Sequence, residues 1–189
     1  MRIAILLGSV REGRQTHKVT DFLEGELLKL PGVSVDLIDL REWRLPIFED
    51  RWQKMEEPPG QLVDLSESLS KADGMIFASP EYHGSYTGVL KNAVDHYWKE
   101  FYRKPIGVIA TGAGQFGGIN ASTEMQQLIL SIGAFPMPYK LLVPNVKYAF
   151  DADDQPVENT LLESMDRFVK DYLWFARAIV AAKELEAAP

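Results

Sequence analysis

The sequence predicts an α/β protein in which a five-stranded parallel sheet is covered by helices on both faces. Three observations carry this. Short, nearly continuous apolar runs recur along the chain, as in Arg2–Leu7, Gly74–Ala78 and Pro105–Ala110. A segment with apolar residues at helical spacing follows each of them. The two kinds of segment alternate about five times, the pattern of repeated βα units. Strands buried on both faces read as continuous apolar runs, and parallel neighbours need crossovers that are usually helical. A length of 189 residues corresponds to one domain, expected to span residues 1–189.

The elements follow in order. Arg2–Leu7 is a buried strand that ends at Gly8-Ser9. His17–Leu30 places Val19, Phe22, Leu23 and Leu27 on one helical face, with Thr16 available as a cap and Pro31-Gly32 as a stop. Val33–Leu40 alternates, with Val33, Val35 and Leu37 opposite Ser34 and Asp36, and predicts a second strand. Arg41–Gly60 is irregular and rich in Pro and Trp; a stretch of this length in a compact domain is usually functional or part of an interface. Gln61–Lys71 predicts a helix through Leu62, Leu65 and Leu69. Gly74–Ala78 is the third strand, ending at Ser79-Pro80, and a helix is expected over Gly88–Tyr102. Pro105–Ala110 is the fourth strand, followed by the Gly-rich Thr111–Gly118 and a helix over Ile119–Ile132 that Gly133 closes. Pro138–Val143 is the fifth strand and Val157–Leu185 a long last helix. Right-handed crossovers make this a doubly wound fold, and five strands in so short a chain favour the flavodoxin-like order, a three-layer sandwich.

Composition narrows the chemistry. The hydrophobic fraction is 46% and the charged fraction 25%, ordinary for a globular domain. The chain has no cysteine, so disulfides, thiolate metal sites and thiol redox pairs are excluded, and redox chemistry would belong to a bound cofactor. A net charge of −7 disfavours nucleic acid and anionic membranes as partners. No stretch approaches the roughly 18–20 apolar residues of a membrane span. The apolar run in Met1–Gly8 is far too short for a signal peptide, and the cytoplasm is the expected location.

In an open parallel sheet, ligands sit beyond the carboxyl ends of the strands. The loops after strands one, three and four are all unusual. The first, Gly8-Ser9-Val10-Arg11-Glu12-Gly13-Arg14-Gln15-Thr16, leads into a helix. It combines glycine, hydroxyls at Ser9 and Thr16, the Arg11 guanidinium and a helix N-terminus, which suits a phosphate; the plainer alternative is a polar turn with a cap. Gly8 and Gly13 have the spacing of a P-loop, but Arg14-Gln15 stands where Lys-Ser/Thr is required, which argues against nucleoside triphosphate hydrolysis. The third loop, Ser79-Pro80-Glu81-Tyr82-His83-Gly84-Ser85-Tyr86-Thr87-Gly88, offers backbone on which a flat ring can lie, or simply a rigid turn that packs its tyrosines. His83 there is an acid–base candidate or a surface histidine. The fourth, Gly112-Ala113-Gly114-Gln115-Phe116-Gly117, has the form G-x-G-x-x-G. It lies in the fourth βα unit, with no acidic residue placed for a ribose, so it reads as a glycine-rich wall beside a cofactor edge or as a turn rather than as a dinucleotide fingerprint.

Other chemistries lack their parts. There is no G-x-S-x-G elbow for a hydrolase and no H-E-x-x-H pattern, and the three histidines His17, His83 and His96 are scattered. Strand one ends in Leu7-Gly8, without the acidic residue of a phosphoreceiver domain.

Gly8-Ser9-x-Arg11 with Thr16, Ser79-Pro80-Glu81-Tyr82-x-Gly84-Ser85, and Leu90-Lys91-Asn92-Ala93-x-Asp95 together resemble the NADPH-dependent FMN reductase family, which includes azobenzene, quinone and chromate reductases. The resemblance spans roughly Met1 to Val143. It implies a flavodoxin-like fold, one FMN per subunit, NADPH or NADH as electron donor, and a small-molecule acceptor such as a quinone, azo compound, metal ion or free flavin. It implies that Ser9, Arg11 and Thr16 hold the FMN phosphate with the backbone amides of Gln15 and His17. Pro80, Glu81, Tyr82 and His83 would then run along the isoalloxazine, and Thr111, Gly112 and Gly114 would meet its pyrimidine side. A homodimer or homotetramer is also implied, with Trp43–Trp52 and His96-Tyr97-Trp98 as contact segments or, alternatively, as cover for the monomer core. His83 stands where the family often has Asn, Thr87 where it often has Pro, and Gln115-Phe116 where it often has Gly-Arg. An FMN-binding electron carrier and a flavin-dependent sensor without NAD(P)H turnover are the alternative functions.

Overall fold

Five strands form one parallel sheet in the computed structural model, which describes residues 1–187. They are β1 (Arg2–Leu7), β2 (Ser34–Asp39), β3 (Gly74–Pro80), β4 (Pro105–Thr111) and β5 (Phe135–Val143). Their order across the sheet is β2-β1-β3-β4-β5, the expected flavodoxin-like order. The helices are α1 (Thr16–Leu28), the single turn α2 (Leu40–Trp43), α3 (Gly60–Lys71), α4 (Gly88–Asp95), α5 (Ile119–Ser131) and α6 (Asn159–Ala187).

The strand pleat sorts side chains between two cores. Ala4, Leu6, Met75, Phe77, Ile106 and Val108 face α3, α4 and α5. Ile3, Ile5, Leu7, Ile76 and Ile109 face α1 and α6. Gly107 lacks a side chain because α6 presses on the sheet there: a Cβ would lie 2.9 Å from Phe168 Cζ. Gly74 has the same reason, since its Cβ would meet the Tyr172 hydroxyl at 2.6 Å. That hydroxyl is buried and has no hydrogen-bond partner among the described residues. An unsatisfied buried hydroxyl costs stability. Tyr172→Phe is therefore expected to stabilise the fold by about 1 kcal/mol. A thermal melt checks this, and a lowered midpoint would contradict it.

Two departures from the sequence reading have clear causes. The helix expected over Gly88–Tyr102 stops at Asp95. Beyond it the buried Glu100 carboxylate accepts from the Trp98 backbone N–H at 3.0 Å, which holds the chain in successive turns, and Arg103 takes a positive φ of 57°. The last strand begins at Phe135 rather than Pro138. As an edge strand it tolerates Pro136 and Pro138, with a register irregularity opposite Ile106 and Val108.

Glu100 also anchors the irregular stretch that precedes α3. Its carboxylate accepts from Trp52 Nε1 at 3.0 Å, Gln53 Nε2 at 3.1 Å and Ser66 Oγ at 2.7 Å. Burial pushes this carboxyl up, but the hydrogen bonds outweigh that and hold it below the usual glutamate range. A depressed folded-state value contributes stability above the ordinary glutamate range, and this is lost as pH falls through the folded value. Glu100→Gln is expected to cost about 1–2 kcal/mol at neutral pH and to flatten the acid limb of stability. Urea unfolding from neutral pH down to about pH 3 reads both, and an unchanged acid limb would contradict the assignment.

The stretch is clamped to α4 as well. Asn92 accepts from the Phe48 N–H at 2.8 Å and donates to the Pro46 carbonyl at 2.8 Å. His96 and Tyr97 are buried cover for the core, whereas Ile47 is 84% exposed and Trp98 42% exposed.

Candidate cofactor site at the carboxyl ends of the strands

The loop between β1 and α1 is fixed by the strand before it and by α4 behind it. Gly8 donates to the Ala78 carbonyl at 2.8 Å, and its own carbonyl accepts from Thr87 Oγ1 at 2.7 Å. A Cβ at Gly8 would lie 2.9 Å from Leu90 Cβ, so only glycine lets the first loop sit this close to α4. Arg14 forks onto both carboxylate oxygens of Asp39, at the end of β2, and donates to the Ser9 carbonyl at 2.7 Å. Burial pushes the Asp39 carboxyl up, and the Arg14 fork with the Arg41 N–H outweighs it. Arg14 thus braces the loop. Arg11 has no carboxylate partner among the described residues, and its guanidinium lies 5.7 Å from the Tyr82 ring centroid.

Thr16, expected as the cap of this helix, is its first residue instead; Gln15 takes the cap position with no side-chain bond. The reason is that the Thr16 hydroxyl is engaged elsewhere, with Thr111 Oγ1 at 2.8 Å in a buried contact. Among the described residues no acceptor pairs with the N–H groups of Thr16 or His17. His17 Nδ1 is also buried without a partner. Ser9 and Thr16 are each 1% exposed.

The third loop turns back on itself. Tyr82 N donates to Ser85 O at 2.9 Å and Ser85 N to Tyr82 O at 3.1 Å. His83 and Gly84 between them have φ of 52° and 79°. Two central residues with positive φ make a type I′ turn, which favours Asn-Gly. Histidine is among the residues enriched at positive φ, which accounts for His83 at this position. Its side chain is exposed at the tip of the turn. The Glu81 carboxylate turns away from this surface and caps α5, accepting from the N–H of Asn120 at 2.9 Å and of Ala121 at 3.1 Å. What Glu81 presents toward the third loop is backbone, with its N–H on the Thr111 carbonyl at 2.9 Å. This capping role was not legible in the sequence, because a carboxylate thirty-nine residues before a helix is not a capping pattern.

The glycines of the fourth loop serve the loop's own packing. A Cβ on Gly112 would meet Gly118 N at 2.8 Å, and one on Gly117, where φ is 60°, would meet Pro144 N at 2.9 Å. Gly114 is different: it faces open space, and its carbonyl accepts from Asn145 N at 3.1 Å. The Thr16–Thr111 bond ties this loop to the first.

The three loops therefore form one continuous surface above β1, β3 and β4. One end of it holds hydrogen-bond donors: the Ser9 hydroxyl, the N–H groups at the start of α1, and the Arg11 guanidinium. Donors and a positive helix end suit a phosphate. The other end is peptide backbone from Pro80–His83 and Thr111–Gly114, suited to a flat heterocycle. The residues fit a phosphorylated ring cofactor. No cluster of metal-ligating side chains occurs among the described residues, and no described helix is long and apolar enough to cross a membrane.

The fold defines a flavodoxin-like protein whose donor-bearing first loop and backbone-lined third and fourth loops meet at the switch point of its sheet. More particularly, the chain belongs to the NADPH-dependent FMN reductase family, whose model matches residues 1–147. It is 30% identical over 172 residues to the FMN-dependent NADPH-azoreductase of Staphylococcus haemolyticus, covering 89% of this chain and 87% of that protein. It is 26% identical over 185 residues to an NAD(P)H-dependent FMN reductase of Pseudomonas aeruginosa, covering 94% and 96%. The flavoenzyme NAD(P)H:(acceptor) oxidoreductase FerB from Paracoccus denitrificans shares the fold, with a TM-score of 0.80 at 23% identity over 94% of this chain and 97% of that one.

Proposed function

We propose that the chain is an oxidoreductase that takes electrons from NADPH or NADH and passes them through one FMN to a small-molecule acceptor. The observation that carries this reading is the donor cradle at the first loop: buried Ser9, and, among the described residues, N–H groups of Thr16 and His17 without an acceptor and Arg11 without a carboxylate. In this reading Ser9, Arg11 and Thr16 hold the FMN phosphate with the amides of Gln15 and His17. Pro80, Glu81, Tyr82 and His83 line the isoalloxazine, and Thr111, Gly112 and Gly114 meet its pyrimidine side. FMN, when bound, supplies hydride acceptance from the nicotinamide and electron delivery to the acceptor.

The chain's own groups bind and position. The Thr16–Thr111 bond and the Glu81 cap keep the three loops in register, so that the site is assembled before the cofactor enters. Tyr82, 37% exposed, and His83 border the open side and shape what approaches it. Quinones, azo compounds, metal ions and free flavins are the acceptor classes, and azo compounds are the first to assay because of the azoreductase relative. A homodimer or homotetramer is part of the proposal, with the exposed Trp98 among its contacts, and sedimentation of a monomer alone would remove that part.

Turnover tests the reading. FMN-loaded protein is expected to oxidise many equivalents of NADPH when an azo acceptor, a quinone or free FMN is supplied. Oxidation of a single equivalent per flavin would instead identify an electron carrier or a sensor.

A further inference from the structure

A second cleft adjoins the first loop. It has a volume of about 600 Å³ and is lined by Val10, Gly88 and Val89 together with Leu40, Leu45 and Ile47. Val10 follows Ser9 directly, and Gly88 opens α4 next to Thr87, which holds Gly8. The cleft thus borders the first loop of the proposed cofactor site. Its size is that of a small-ligand pocket.

Two arginines, Arg41 and Arg44, stand in its wall. Neither guanidinium has an ion-pair or hydrogen-bond partner among the described residues. Asp39, two residues before Arg41, is already forked by Arg14. Arg44 ends α2 in the left-handed region, with φ of 43°, where glycine or asparagine is the cheaper residue. Apolar Leu45, Ile47 and Val89 share the cleft, and Ile47 is 84% exposed. Unpaired forked cations beside apolar surface suit an aromatic ring that carries a phosphate.

Resting on the function proposed above, we infer that this cleft takes the 2′-phosphorylated adenosine half of NADPH, with Arg41 and Arg44 on the 2′-phosphate and the adenine against Leu45, Ile47 and Val89. The nicotinamide half then extends past Val10 toward the third loop. Preference for NADPH over NADH would be set by the segment after β2 rather than by the Gly-rich fourth loop, where Gln115-Phe116 offers no cation.

Calorimetric titration with adenosine 2′,5′-bisphosphate reads the site without turnover. Wild-type protein is expected to bind it at least tenfold more tightly than 5′-AMP, and Arg41→Gln and Arg44→Gln are each expected to weaken it about tenfold. In turnover, the same substitutions are expected to raise the KM for NADPH about tenfold and to lower the NADPH-to-NADH ratio of kcat/KM. Equal affinity for the two nucleotides, no binding at all (as when a second copy of the chain fills the cleft), or substitutions that change the acceptor KM and leave that for NADPH unmoved would each overturn the inference. Retention of FMN, measured on the same samples, is a separate readout: its loss refutes the cofactor site, whereas its presence without nucleotide discrimination refutes only the cleft.

Discussion

Ser9→Asp is expected to abolish FMN retention. Ser9 is 1% exposed and sits where the first loop meets the unpaired N–H groups of α1. A carboxylate there would occupy the donors and set a negative charge against a dianionic phosphate. Like charges brought together in a binding site cost several kcal/mol, which corresponds to a loss of affinity of about a thousandfold. Ser9→Ala removes only a hydroxyl and is expected to cost about tenfold, as is Arg11→Ala, whose exposed guanidinium leaves the fold untouched. FMN fluorescence titration on samples with native circular dichroism measures the series. Ser9→Asp protein that is folded and binds FMN like the wild type would show that the phosphate lies elsewhere.

Glu81→Ala is expected to destabilise the protein by about 1–2 kcal/mol and to weaken FMN binding with it. The carboxylate accepts from two N–H groups of the first turn of α5 and from Asn120 Nδ2 at 3.1 Å, so its loss removes three hydrogen bonds and the helix cap. It also joins the third loop to the helix that follows the fourth loop, so its removal loosens two of the three walls of the site. Glu81→Gln keeps one acceptor oxygen and is expected to cost less than half as much. Urea midpoints and FMN affinity measured together test this. A stable Glu81→Ala protein with weakened FMN binding would mean that the carboxylate touches the cofactor rather than the helix.

The fold was legible where a local pattern determines it. Continuous apolar runs gave the three central strands, because a strand covered on both faces has no polar side, period-two alternation gave the edge strand β2, and the succession of strand and helical segments determined the layers. The three loops of the candidate site were legible from the same order, since the switch-point rule places sites at those strand ends. What escaped was set by contacts distant in sequence. The early end of α4 depends on Glu100, which is held by Trp52 and Ser66 from another segment. The brace that Arg14 gives the first loop depends on Asp39, twenty-five residues on. Thr16 has the side chain of a cap and forgoes that role for Thr111, ninety-five residues away. Gly112 and Gly117 suggested close approach to a ligand, and the close approach is to their own backbone neighbours.

The central claim is that these three loops hold an FMN that NADPH reduces. An anaerobic titration tests it most directly. FMN-loaded, desalted protein is mixed with NADPH in the absence of oxygen and acceptor, and the visible flavin absorbance is followed. Complete bleaching is expected at one equivalent of NADPH per bound flavin, since each carries two electrons. Retained flavin that stays oxidised in excess NADPH and NADH would contradict the reductase, and protein that retains no flavin would contradict the site.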